Sequence, residues 1–313
     1  MSKFLYFQDG HFTARNPGQR IDNYPESWLI KFQEFLDIGD EHKVDAYLDG
    51  GDIFDVPNIS NIYLDKIIDM IEEKGKPFYS LYGNHTMLCN NIQTSQGTSL
   101  AHTFRRSKLI RYLKNIEGSN FNIQGFEYYH AIEEDIEKNG LNIKTINDIT
   151  DLSKNWKIAI VHALVTSKSF FKEVSHVVYK DIKTNANLVL VAHLHEQYEK
   201  EINGTTFLDI GNFGRCAISE HKINPSCLLI DTDKRKWEKI ELKSAKKGSE
   251  IFDLTKVKEM KEFDNNINNF ISSLKSTKAQ SLDIRGIITN ICKENKVEKE
   301  VEQLIIDKVG QCE

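Results

Sequence analysis

The sequence predicts an α/β protein, a parallel β-sheet covered by helices, with a helical segment at its C-terminal end. Three observations point there. Over the first ~90 residues, short apolar runs alternate with amphipathic helical spacing, the signature of βαβ units. The second half is richer in strand-like runs, two of which flank Asn203-Gly204, a two-residue hairpin turn signal. Beyond about residue 250 only helical periodicity remains.

The elements follow in order. Phe4–Phe7 reads as a buried strand ending at Asp9-Gly10-His11, and Thr13–Pro25 is loop, punctuated by Asn16-Pro17-Gly18. From Glu26, the residues Trp28, Leu29, Phe32, Phe35 and Leu36 fall at helical spacing, and Gly39 closes that helix. Val44–Leu48 is the second strand, running into Gly50-Gly51-Asp52-Ile53-Phe54-Asp55. Asn58–Glu73 is a helix with Ile59, Ile62, Tyr63, Ile67 and Met70 on its inner side, and Phe78–Tyr82 is a strand ending at Gly83-Asn84-His85. Ser99–Leu113 reads as a helix, Phe121–Ile123 and Phe126–Tyr129 as weak strands, and Ile132–Lys138 as a charged helix. Ile158–Val161 then runs into His162, and Leu188–Val191 into Ala192-His193-Leu194-His195. Glu199–Ile202 pairs with Thr206–Ile210, and Cys227–Ile230 with Trp237–Leu242. Three amphipathic helices close the chain, on Phe263–Leu274, Ile284–Ile291 and Val297–Val309. We expect a main domain over 1–248 and a helical region over 249–313 that packs on it or binds a partner.

At 313 residues, 40% hydrophobic and 28% charged, the composition is that of an ordinary globular protein. No apolar stretch approaches the ~20 residues a membrane span needs, and the N-terminal run turns polar at Gln8-Asp9, too soon for a signal-peptide core. The five cysteines form no C-x-x-C pair, which argues against a disulfide framework or thiolate zinc site and for the cytoplasm. A net charge of −5 excludes a polycation made for coating nucleic acid. Binding to DNA would then use a local basic patch, a metal-lined cleft or a partner subunit. The two basic clusters, Arg105 to Arg111 and Lys234 to Lys247, read first as solvated surface.

Five strand-end clusters carry the chemistry: Asp9-x-His11, Gly51-Asp52, Gly83-Asn84-His85, the single His162 and His193-x-His195. Each alone is weak, since a buried histidine after a strand is more often a satisfied core residue. Together they hold half of the ten histidines and sit where open α/β sheets place their ligands. Carboxylate, imidazole and amide oxygen without thiolate suit manganese, iron or zinc in a catalytic site. One carboxylate can bridge two cations ~3.5–4 Å apart, lowering the pKa of a shared water that becomes the nucleophile. Asn84 offers a neutral oxygen, and His85 is placed to donate a proton to the leaving oxygen.

This order of motifs resembles the calcineurin-like metallophosphoesterase superfamily, and within it the SbcD-like DNA repair nuclease subunits. The narrower resemblance rests on Asn16-Pro17 through Arg20-Ile21-Asp22-Asn23-Tyr24, on Gly51-Asp52-Ile53-Phe54-Asp55 and on Ile210-Gly211-Asn212-Phe213-Gly214-Arg215. It implies a four-layer sandwich of two mixed β-sheets flanked by helices, with a C-terminal helical extension. It implies that Asp9, His11, Asp52 and His195 bind one metal, that Asp52, Asn84, His162 and His193 bind the other, and that His85 is the catalytic histidine. The two divalent ions are usually manganese, with magnesium, iron or zinc as alternatives. The implied reaction is phosphodiester hydrolysis in DNA, exo- or endonucleolytic. The implied partner is an SbcC-like coiled-coil ATPase gripped by the C-terminal helices, with a homodimer as a further assembly and no membrane. Substrate-binding residues are not implied. Two other readings fit the same centre, a phosphatase or small-molecule phosphodiesterase and a metal-bound scaffold without catalysis.

Three positions depart from the family pattern. Thr86 stands where an acidic residue usually follows G-N-H, Ala192 where Gly precedes H-x-H, and Asp209-Ile210-Gly211-Asn212 where N-P-G-S is usual. The first removes the expected orienter of His85.

Overall fold

The computed structural model describes residues 2–144, 155–168, 174–255, 288–289, 292–293, 297 and 299–310. The chain divides into two compact units, Met1–Leu254 and Thr255–Glu313. In chain order the first unit carries β1 (Lys3–Phe7), α1 (Tyr24–Glu41), β2 (Ala46–Asp49), α2 (Asn61–Glu72), β3 (Phe78–Ser80), α3 (Ser99–Arg106), β4 (Ile110–Tyr112), β5 (Asn115–Glu117) and β6 (Phe121–Phe126). It continues with α4 (Ile132–Asn139), β7 (Trp156–His162), β8 (Val165–Thr166), β9 (Val177–Val178), β10 (Leu188–Ala192), β11 (Gln197–Ile202), β12 (Thr205–Ile210), β13 (Ser226–Asp231), β14 (Lys236–Glu241) and the single turn α5 (Gly248–Ile251). In the second unit the described residues include α6 (Lys299–Gly310), and Ile288 and Cys292 are buried. The helices expected over Phe263–Leu274 and over Ile284–Ile291 fall outside the described residues, Ile288 and Thr289 apart. Among the described residues no helix is long and apolar enough to cross a membrane.

Two six-stranded mixed sheets form the body, ordered β14-β13-β1-β2-β3-β4 and β11-β12-β10-β7-β6-β5. Strands β1 to β4 run parallel, with β4 at one edge of its sheet, as do β6, β7, β10 and β12, while antiparallel strands complete the other three edges. The period-2 alternation of a strand decides which layer each side chain enters. In β7, Ile158 and Ile160 join Phe4, Tyr6 and Leu48 between the sheets, whereas Ala159 and Val161 face outward onto Ile132 and Ile136 of α4. Helices α1 to α3 cover the other outer face through Trp28, Phe32, Phe35, Ile67, Ile71 and Leu100. Helices thus flank a pair of facing sheets, the sandwich expected.

Phe7 is central to the first helical layer. Its ring meets Phe32, Phe35, Phe78 and Phe213 at centroid separations of 6.0, 4.8, 6.1 and 5.0 Å. Strand β1 thereby tethers α1, β3 and the loop after β12 around one side chain.

Four local expectations need correction: Ile62, expected on the inner side of α2, is 79% exposed, and three others concern element bounds. Gly39 does not end α1, which runs on to Glu41. A Cβ there would lie 2.3 Å from the Tyr47 ring, so this glycine is a notch that lets helix and sheet approach closely. The helix expected over Ser99–Leu113 stops at Arg106, and Ile110–Tyr112 is instead a strand pairing parallel with β3. Burial alternates there, Ile110 inside and Arg111 exposed, but three residues are too few to betray a period of two. The backbone groups of β3 need a partner on that side, and tertiary pairing overrides local helical preference. Phe126–Tyr129 is not a separate strand; β6 runs unbroken from Phe121 to Phe126.

Replacing Phe7 by Ala should cost about 3–5 kcal/mol through lost burial and the cavity left behind. Urea unfolding of the full chain checks this, and a loss under about 1 kcal/mol would contradict the packing described.

Candidate metal centre

The carboxyl ends of β1, β2, β3, β7 and β10 bring the expected residues together. The loops after β1 and β2 are laced by their backbones: Asp9 N–H donates to the Gly51 carbonyl at 3.1 Å, His11 N–H to Asp52 at 2.7 Å and Phe12 N–H to Ile53 at 2.8 Å. The loop after β12 joins them, with Phe213 N–H donating to Gln8 and Gly214 N–H to Asp9, each at 3.1 Å. Asp9, His11, Asp52, His193 and His195 all hold left-handed backbone conformations, φ 50°, 45°, 55°, 100° and 61°. Such strain in non-glycine residues persists only where the surroundings over-determine it.

Those surroundings include one face of α1. Tyr24 Oη donates to the His11 carbonyl at 2.7 Å, Trp28 Nε1 to Gly10 at 2.6 Å and Lys31 Nζ to Phe213 at 2.5 Å. These residues are spaced i, i+4 and i+7, so one helical stripe holds the loops from below. The segments that carried the narrower resemblance meet at the same place. Arg20 forks onto Asp22 at 2.8 and 2.9 Å and donates to the Arg215 carbonyl at 2.8 Å.

Three groups of side chains have ligand atoms within 4.8 Å of one another: Asp9–His11–His195, His11–Asp52–His85 and Asp52–His162–His193. Asp9, Asp52 and His162 are at most 1% exposed. The seven residues expected to be ligands therefore lie together with His85, Asn84 entering through Oδ1, 3.3 Å from His162 Nε2. The Asp52 carboxylate accepts the His85 N–H at 3.0 Å.

The donor set fits cations in two places. His162 Nδ1 donates to the Gly50 carbonyl at 3.0 Å, so the neutral ring aims an Nε2 lone pair at Asp52 Oδ2, 3.1 Å away. That oxygen is buried and, among the described residues, has no hydrogen-bond donor. Nitrogen lone pair, carboxylate oxygen and amide oxygen thus face one another, which is repulsive until a proton or a cation lies among them. The other place repeats the pattern. His195 Nδ1 meets Glu220 Oε1 at 2.7 Å and His11 Nδ1 meets Asp55 Oδ1 at 3.1 Å, leaving the two Nε2 atoms 2.9 Å apart beside Asp9. A carboxylate on the far nitrogen of a ligating imidazole fixes its tautomer and raises its basicity.

Without cations, protons do this work. Burial opposes a charged His162, but the Asp52 carboxylate, its hydrogen bond and Asp9 outweigh it and push the ring up to about 9. Burial likewise opposes charge on His195, yet Asp9 and Glu220 raise it to about 10. At His193 burial and the neighbouring His162 charge outweigh Asp9 and Asp52 and push the ring down to about 4. Despite burial, the surrounding histidines hold Asp9 well below the usual carboxylate range.

Beneath the centre lies a second buried polar layer. Asp49 accepts the Gly51 N–H at 3.1 Å and the Ser80 hydroxyl at 2.5 Å; burial raises its pKa to about 7. Asp209 accepts the Gly211 N–H and the Gln8 amide, each at 2.8 Å, and burial raises it well above the ordinary value. Thr86 is buried, and its hydroxyl closes on Gly83 N–H and carbonyl at 3.0 and 2.9 Å, so it shapes the turn rather than orienting His85.

Sequence reasoning missed Glu220, Asp55 as a partner of His11, and Tyr128, whose ring lies 5.5 Å from His193. Glu220 and Tyr128 had no sequence signal, since neither closes a strand in a recurring motif. Asp55 had one, its place at the end of the Gly50–Asp55 stretch.

Two facing mixed sheets whose strand ends present paired imidazole–carboxylate clusters define a metal-dependent phosphoester hydrolase. The chain belongs to the calcineurin-like phosphoesterase family, whose model matches residues 25–208; Asp9 and His11 precede that span and join it through the fold. Solved structures similar to the chain include a Thermus thermophilus protein, at 14% identity, TM-score 0.47, covering 77% of this chain and 99% of the other. A novel archaeal phosphodiesterase is similar at 13% identity, TM-score 0.41, covering 77% and 99%. A putative 5′-nucleotidase from Staphylococcus aureus is similar at 11% identity, TM-score 0.41, covering 76% and 52%. No curated protein matches the sequence.

His162 and His195 have raised folded pKa values, so the stability they contribute without metal is complete below the unfolded value of ~6.5. It is lost as pH rises through about 9 and about 10. Metal binding near neutral pH must then release protons from both rings, which calorimetric titration in buffers of different ionisation enthalpy will measure; no release would contradict the assignment. Space at the centre sets a further expectation, because a Cβ at Gly83 would lie 2.2 Å from Asp52 Oδ1 and 2.7 Å from His162 Cε1. Gly83→Ala should therefore displace Asp52 and weaken metal binding at least ~10-fold, read by equilibrium metal content.

Proposed function

We propose that this chain hydrolyses phosphodiester bonds in DNA as the nuclease subunit of an SbcCD-like repair complex, with manganese as the activating ion. The observation that carries the reaction type is the pair of clusters Asp9–His11–His195 and Asp52–His162–His193, linked by the group His11–Asp52–His85, with lone pairs converging in the first two. Asp9, His11, Asp52 and His195 would hold one cation, and Asp52, Asn84, His162 and His193 the other. When bound, the two cations supply Lewis acidity and an acidified water for attack on phosphorus. What supports DNA as substrate is the narrower resemblance, whose residues Arg20, Tyr24 and Phe213 to Arg215 support the His11 loop.

His85 serves as general acid. Its side chain is 41% exposed, against 0–5% for Asp9, His11, Asp52 and His162. Nδ1 is held by the Asp55 carbonyl at 2.9 Å, which leaves Nε2 to carry a proton to the leaving oxygen. The C-terminal helices would grip the ATPase partner, and the protein would work in the cytoplasm.

The test is cleavage of end-labelled single- and double-stranded DNA with manganese, alone and with the coiled-coil ATPase, beside phosphomonoesters and cyclic nucleotides. Asp52→Ala should abolish binding of both metals and all turnover. His85→Ala should retain both metals and lose ~10²–10⁴-fold in rate. No cleavage of DNA under any condition would overturn the proposal. Small phosphoesters outpacing DNA by orders of magnitude would select a phosphatase or small-molecule phosphodiesterase. Undiminished biological function in His85→Ala would select a metal-bound scaffold.

A further inference from the structure

We infer that Gln8 is a positioning residue for Asp9: its side-chain amide, held between Tyr6 and Asp209, engages Asp9 Oδ2 and leaves Oδ1 as the oxygen offered to the first cation. This rests on the metal assignment above and not on DNA as the substrate.

Gln8 follows β1 directly and is fully buried, as are Tyr6 and Asp9. The Tyr6 hydroxyl donates to Gln8 Oε1 at 2.9 Å, which fixes the sense of the amide. Its NH2 group then faces two carboxylates, donating to Asp209 Oδ1 at 2.8 Å and to Asp9 Oδ2 at 3.2 Å. An amide NH2 has two hydrogens, and each has its acceptor here; the opposite sense would set the amide oxygen against both carboxylates. Asp209 is fixed in turn by the Gly211 N–H at 2.8 Å. It belongs to β12 in the second sheet, whereas Tyr6 belongs to β1 in the first. The amide is therefore clamped from both sides of the sandwich.

The consequence falls on Asp9. The His193 N–H is shared between its two oxygens, 3.2 Å from Oδ1 and 3.1 Å from Oδ2, so Gln8 is the donor that distinguishes them. Oδ1 stands 3.9 Å from His11 Nε2 and 3.7 Å from His195 Nε2, on the side where those nitrogens converge. A neutral donor orients the carboxylate without cancelling its charge, whereas a lysine in that place would compete with the cation.

The experiment uses three variants of the full chain. Gln8→Met keeps the length of the side chain and loses both donors. Asp209→Ala releases the amide, and Asp209→Asn retains the Oδ1 acceptor while replacing Oδ2, which among the described residues has no hydrogen-bond donor. In manganese titration calorimetry, His195→Ala identifies which of two dissociation constants belongs to the first pocket. Gln8→Met should weaken that constant by ~10–100-fold and leave the other unchanged. Asp209→Ala should weaken the same constant by about 10-fold, and Asp209→Asn should retain most of the affinity. The double variant Gln8→Met/Asp209→Ala should bind no more weakly than Gln8→Met, since Asp209 acts through the amide. Unchanged constants in Gln8→Met would overturn the inference, and Asp209→Ala decides it in the same way if Gln8→Met does not fold. Equal weakening by Asp209→Asn and Asp209→Ala would show that charge rather than the clamp is at work, and would also overturn it. So would equal weakening of both constants with a lower metal-free melting temperature, the mark of a merely structural residue. Should the unaltered protein bind no manganese, the metal assignment fails and the inference with it; two normal sites with an inert Gln8→Met would sink the inference alone.

Discussion

Asp9 and Asp52 are charged groups placed where water cannot reach them, and much of the site's construction follows from that. A buried carboxylate is stable only beside positive charge or hydrogen-bond donors. Here the chain supplies backbone N–H groups, with His193 donating to Asp9 at 3.1 Å and His85 to Asp52 at 3.0 Å. It also supplies the imidazoles His11, His162 and His195, which share protons with the carboxylates or, in our reading, yield to cations. Bringing so many polar groups to one point forces the backbone into left-handed turns at five of these residues. It also leaves no room for a side chain at Gly83.

Strained loops need a rigid support, and the aromatic layer under the sheet provides it. The stripe of Tyr24, Trp28 and Lys31 on α1 satisfies carbonyls that the turns expose, and Phe7 and Phe213 lock the same loops from the apolar side. Lys31 is 2% exposed, with two carbonyls and the Phe213 ring around its ammonium. A buried lysine is costly, and its use is local: it fixes the loop whose Gly214 N–H holds the Asp9 carbonyl. Stability of the first helical layer and geometry of the site are therefore one problem, solved by the same side chains.

Much of this was legible in the chain. The alternation of apolar runs with helical spacing placed β1, α1, β2, α2 and β3 to within three residues at each end, because each short apolar run is separated from the next by a clearly amphipathic helix. Asn203-Gly204 marked the β11–β12 turn, where both residues take positive φ, 52° and 81°. Failures occurred where an element is short and stabilised only by its neighbour, as at β4, whose three residues have no pattern of their own. Gly39 misled for a related reason: its role is contact with Tyr47, and no rule about helix ends describes that.

What the sequence by itself determined is the inventory at the strand ends: two aspartates, five histidines and an asparagine without thiolate, each closing an apolar run. That follows from local physics, since a strand must end, and polar residues immediately past its end fall on one edge of the sheet. Only the tertiary structure decided which of them meet. His11 and His195, 184 residues apart, are brought together because β1 and β10 lie centrally in facing sheets. The structure also decided what aims them. Glu220 comes from a short 3-10 helix, Ile218–Lys222, and Asp55 acts through a carbonyl as well as a carboxylate. Partners of that kind have no periodicity and no fixed spacing, so their role exists only once the loops are packed.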